Sequence, residues 1–118
     1  MATENQILSL SFNAGADLSS SAFLVGQLNA SGLIVPQTTA LAGGVGIIQD
    51  AVLAGRTTPV MVVGVSRAVY GATVTLPTKL TNNASGQLIP VSAATDVVVA
   101  IALEAGATGE QHSVLLTQ

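Results

Sequence analysis

A chain of 118 residues that is 49% hydrophobic and only 8% charged suffices for one domain with a real core, but supplies few charges to cover it. Cysteine is absent, which excludes a disulfide framework and thiolate metal sites. The net charge is −3, the only basic residues are Arg56, Arg67 and Lys79, and the aromatics are Phe12, Phe23 and Tyr70. So sparse a supply neither neutralises a phosphate backbone nor stacks bases, and no direct nucleic-acid partner is expected.

Residues 1–14, MATENQILSLSFNA, alternate Ile7, Leu8, Leu10 and Phe12 with polar residues. They read as an extended arm that adds to a neighbour's sheet edge, or as the first strand of the domain. No basic region followed by an apolar stretch opens the chain, so cytoplasmic synthesis without a signal peptide is expected. Residues 15–118 are expected to form a single β domain. Its runs 22–28 (AFLVGQL) and 33–36 (LIVP) flank the tetrapeptide Asn29-Ala30-Ser31-Gly32. Runs 78–82 (TKLTN) and 87–90 (QLIP) flank a second copy, Asn83-Ala84-Ser85-Gly86. Asn bonds its own backbone and Gly accepts positive φ, so each NASG predicts a hairpin tip. Further strands are expected within 45–48, 59–70, 97–103 and 112–118, rich in β-branched residues. Pro36 and Pro90 should end strands or lie at edges. Gly43, Gly44 and Gly46 interrupt any helix near 38–48, leaving room only for short helical turns near 38–42 or 92–96. The longest apolar run, 97–103, falls far short of the roughly 18–20 residues that span a bilayer as helix, and no membrane partner is expected.

The repeated word belongs to a longer register. Residues 29–64 laid over 83–118 match without gaps at 11 of 36 positions, including Pro36/Pro90, Ile47/Ile101 and Gly55/Gly109, with Asp50 answering Glu104. Upstream, GADL (15–18) answers GATV (71–74), with two residues fewer before the second NASG. The expected fold is therefore mainly β: a compact barrel or sandwich of two related halves, about 15–64 and 71–118, offset by 54.

Candidate chemistry is thin. The two Asn-Ala-Ser sequons are better read as turns, since the turn also explains the Gly. His112 is the only histidine and its repeat partner is Thr58. It lacks a nucleophile signature, and one His with six carboxylates is a poor metal set. Asp50 and Glu104 hold equivalent positions; they read as solvated acids at strand ends, with paired acid–base work or Ca²⁺ binding as the alternative. AGGVG (42–46) lacks the spacing and the Lys of a phosphate loop. No catalytic residue, cofactor or metal is expected, and the chain is not read as an enzyme.

The segment NASGQLIPVSAATDVVVAIALEAGATGEQHSVLL resembles the C-terminal half of tailed-phage capsid decoration (cement) proteins of the DUF2190 type. The family stretch V-x-G-I-A-L-E-A is answered by Val99 to Ala105, with Ala100 where Gly is frequent, and the closing strand by Ser113 to Leu116. GVGIIQDAVLAG and VMVVGVSRAVYGATV are similar to the middle section, so the resemblance spans about 15–118. It implies a β-barrel-like subunit, commonly a homotrimer, on the outer capsid surface of the virion at three-fold or quasi-three-fold sites. There it would clamp the major capsid protein of the expanded head against internal DNA pressure. Ile7, Leu8, Leu10 and Phe12 are the expected capsid contacts, and Asn29, Gly32, Asn83 and Gly86 the hairpin tips. The alternatives are a small β binding module for a host surface or carbohydrate, or a minor head or fibre component.

Overall fold

The computed structural model describes the backbone of residues 5–117 and the side chains of residues 8–116. Alternating and β-branched runs form nine strands there: β1 (Asn5–Asn13), β2 (Val25–Leu28), β3 (Ile34–Pro36), β4 (Gly46–Ile48), β5 (Thr57–Val69), β6 (Lys79–Asn82), β7 (Leu88–Pro90), β8 (Ala100–Ala102) and β9 (Gln111–Thr117). They make one antiparallel sheet in the order β3-β2-β4-β5-β9-β8-β6-β7, with β1 paired to β5, curled into a half-barrel. No helix forms among the described residues; 38–42 and 92–96 are turns and bends. Pro36 and Pro90 each close a strand at one end of the sheet order, where a missing N–H is tolerated.

The pairing registers recur at the sequence offset. Gly26 pairs Pro36 and Leu28 pairs Ile34 in the first half; Leu80 pairs Pro90 and Asn82 pairs Leu88 in the second. Val25–Ile47 is answered by Lys79–Ile101, and Ile47–Met61 by Ile101–Leu115. The loops follow suit. Gly15 N–H donates to Ile34 O and Gly71 N–H to Leu88 O, each at 2.8 Å; Gly55 N–H donates to Ala14 O at 2.9 Å and Gly109 N–H to Tyr70 O at 2.7 Å.

The correspondence also reaches β1, at the offset of 56 that holds upstream of the tips. Phe12–Thr58 and Asn13–Thr57 across β1–β5 are matched by Ala68–His112 and Val69–Gln111 across β5–β9. The strands fall into two sets of five, here termed units, which share the 13-residue β5: its start closes the first and its end opens the second. Residues 5–13 are a paired strand of this sheet rather than a segment projecting from it.

Two apolar clusters fill the curl. One holds Ala14, Leu18, Ile34, Ile48 and Val60 of the first unit, with Phe12, Val45 and Val52 against it. The other joins Val25, Ile47 and Met61 to second-unit residues around Tyr70, Leu88 and Leu116. Ala100 has no left-handed backbone and is unstrained.

Candidate contact surfaces and the His112 cluster

Three sets of side chains remain once the core is accounted for. The first is the outer side of β1. Leu8 and Leu10 are 44% and 43% exposed, while Phe12 is half-buried against the first cluster. The side chain of Ile7 lies outside the described residues. Of the four expected contact residues, Leu8 and Leu10 therefore present free apolar surface, and Phe12 anchors the strand.

The second set is the hairpin tips. In both, the Asn side chain organises the turn: Asn29 Oδ1 accepts from Ser31 and Leu33 N–H, and Asn83 Oδ1 from Ser85 and Gln87 N–H. Gly32 and Gly86 share φ +77°, which only Gly adopts cheaply. Their surroundings differ. Gly32 is exposed, with nothing within 4 Å of where a Cβ would lie. Gly86 is buried against β2, where its carbonyl accepts from Val25 N–H at 2.8 Å.

The third set was not assembled from the sequence. Glu104 and His112 sit on either side of the β8–β9 turn, and Glu110 lies two residues before His112. His112 Nδ1 is 3.3 Å from Glu104 Oε1, and Nε2 is 3.0 Å from Glu110 Oε1. Glu104 also accepts from Ser113 N–H at 2.8 Å, and its carbonyl accepts from the Tyr70 hydroxyl at 2.7 Å. The Tyr70 and His112 rings lie 5.2 Å apart. Burial, then the nearby Glu104 charge, pushes the Tyr70 hydroxyl up to about 12, so it stays a donor. In the first unit Asp50 uses only its carbonyl here, accepting from Thr58 Oγ1. The equivalent acids thus have unlike tasks. A sequence signal existed: the expected strands within 97–103 and 112–118 are joined by a short connection, which sets Glu104 and Glu110 near His112.

Two carboxylates facing both ring nitrogens favour the imidazolium. The Glu110 bond is the largest cause and raises His112 above its ordinary value; burial opposes it next, and the Glu104 bond and the two carboxylate charges add to the rise. Glu110 is lowered, by the Ala107 N–H first and His112 second. The His112 contribution is complete below the unfolded value of 6.5 and fades as pH rises through the raised folded value. The Glu110 contribution is complete above its unfolded value of 4.5 and fades as pH falls through the lowered one. Stability from the cluster should peak between these values. Urea midpoints should decline from pH 6 to pH 9 in the parent and decline less in His112→Gln; parallel profiles would contradict the clamp.

No cavity opens among the described residues, and no group of three or more His, Cys, Asp or Glu is arranged to hold a metal ion there. Among the described residues no helix is long and apolar enough to cross a membrane. What the surface offers is contact: exposed Leu8, Leu10, Leu28, Leu53, Leu76, Val97 and Leu103.

No protein-family model matches the chain, and no curated protein matches it. Among solved structures, the head fiber gp8.5 N base of bacteriophage phi29 superposes with a TM-score of 0.57 at 16% identity, covering 93% of this chain and 93% of that one. The chain therefore has the fold of a phage head fibre base along nearly its whole length.

Proposed function

We propose that this chain is a capsid decoration protein that binds the outer surface of an expanded phage head, as a homotrimer at three-fold or quasi-three-fold sites. The observation that carries the reading is the near-complete superposition on a phage head fibre base. Low charge and exposed leucines on β1 suit a part whose work is contact. The mechanism is linkage: a ligand that binds only the expanded lattice stabilises that lattice, and several contacts per trimer multiply the effect. The recurring registers are in keeping with descent from a duplicated five-strand unit.

The solved structure also favours a second reading, a base that carries a fibre. Both readings assign the protein to the virion, with the major capsid protein as partner, and they differ in copy number.

Leu8 and Leu10 are the proposed capsid contacts. Because residues 5–13 are a strand, deleting them would damage the fold; a double change on the exposed side is the cleaner probe. Leu8→Ser with Leu10→Ser should shift the urea unfolding free energy by no more than about 0.5 kcal/mol, as expected for exposed sites. It should weaken binding to purified expanded heads at least tenfold in a co-sedimentation titration. Undiminished binding would remove β1 from the contact.

A further inference from the structure

Among the described residues, two other than glycine have left-handed backbone: Phe23 and Leu41, each at φ 65°. Neither residue type favours it, because a Cβ crowds the following carbonyl oxygen there. Both lie in the first unit, and both are gripped by the second. Phe23 O accepts from Val69 N–H at 3.2 Å, at the end of β5, and the Arg67 guanidinium stands 5.9 Å from its ring centre. Leu41 N–H donates to Asn82 O at 2.8 Å, and Leu41 O accepts from Val97 N–H at 3.3 Å. At the offset of 54 their partners are Pro77 and Thr95, and neither has a positive φ. The Leu41 side chain is 39% exposed, so core burial does little to offset its strain. Within the first unit, Gln37 ties the ends of the loop 37–43. Its Oε1 accepts from Thr38 and Thr39 N–H, each at 3.0 Å, and its Nε2 donates to Gly43 O. The second unit holds the middle: the buried Asn82 side chain accepts from Gly43 N–H at 2.7 Å and donates to Thr39 O at 2.8 Å, while its backbone holds Leu41.

We infer that the seam between the units is a strained latch: Asn82 holds Leu41 left-handed, and the loop 37–43 returns to ordinary backbone when that bracket opens. Backbone strain of this kind persists only where the surroundings over-determine it. Here the over-determining contacts are the Leu41 N–H and O, both bonded across the seam. A residue of the second unit thereby sets the backbone that presents the exposed Leu41 side chain of the first, and couples the loop 37–43 to β6. The inference rests on the fold and not on the capsid reading.

Glycine and alanine at position 41 give the test, since both remove the exposed side chain and differ in the backbone they favour. Left-handed backbone favours Gly; in ordinary backbone Gly loses more freedom on folding, and Ala is favoured. In the parent, Leu41→Gly should therefore have a higher urea midpoint than Leu41→Ala. In the Asn82→Ala background the order should reverse. The same gap in both backgrounds, or alanine ahead in the parent, overturns the inference. A second measurement needs no change at Asn82. In the parent, the Leu41, Gly43 and Val97 amides are all bonded through the latch and should open together. Their hydrogen-exchange protection should agree within about threefold and lie at least about tenfold below that of the β5–β9 ladder. Unequal protection among the three, or protection equal to that of the ladder, also overturns it.

Discussion

Tyr70→Ala is expected to lower the urea unfolding free energy by about 4 kcal/mol, at the upper end for loss of a large core side chain. Tyr70 is the largest fully buried side chain, at 0% exposure. Its repeat partner is Ala14, and the two units fill this space in opposite ways. Around Ala14 stand Phe12, Leu18, Ile48 and Val52; their partners in the second unit are Ala68, Val74, Ala102 and Gly106. Small neighbours make room for the phenol, so they cannot close over the void that alanine would leave. The void and the lost transfer energy therefore add. Tyr70→Phe keeps the ring and loses only the bond to Glu104 O, costing about 1 kcal/mol. Equal midpoints for the Ala and Phe variants would show that packing is not what this residue contributes.

Asn82→Leu, which copies the first unit's Leu28, should cost about 3 kcal/mol. The Asn82 side chain is fully buried and makes three bonds, to Gly43 N–H, Thr39 O and Asn83 O. Leucine would strand the buried Gly43 N–H and deprive Thr39 O, and an unsatisfied buried group costs about 1–3 kcal/mol. Most of that loss falls on the contact between the units. The unfolding midpoint should drop with the m-value unchanged, since both units still unfold together. A rise in stability would mean that the two hairpins are interchangeable, contrary to the unlike surroundings of Gly32 and Gly86.

The hairpins were legible because local chemistry writes them: Asn organises the tip and Gly supplies φ +77°. The 54-residue offset was read from Gly, Pro and acidic positions, and the β2–β3 and β6–β7 pairings recur at it. Three things were not. The match between β1 and the end of β5 has a different offset and keeps no side-chain likeness, with Leu8, Leu10 and Phe12 set against Gly64, Ser66 and Ala68. The shared β5 could not be divided by composition, because one apolar strand serves both units. The unlike fates of Gly32 and Gly86 depend on what each tip packs against, which identical tetrapeptides cannot encode. For the site, His112 looked isolated because its partners Glu104 and Glu110 come together only across a turn.

Counting copies in purified virions, by a cryo-EM map supported by quantitative mass spectrometry, tests the proposed role most directly. A copy number comparable with the major capsid protein, in outer-surface density at three-fold or quasi-three-fold sites, is the predicted result. A few copies at one vertex would transfer the chain to a fibre or tail assembly, and absence from the particle would contradict the account.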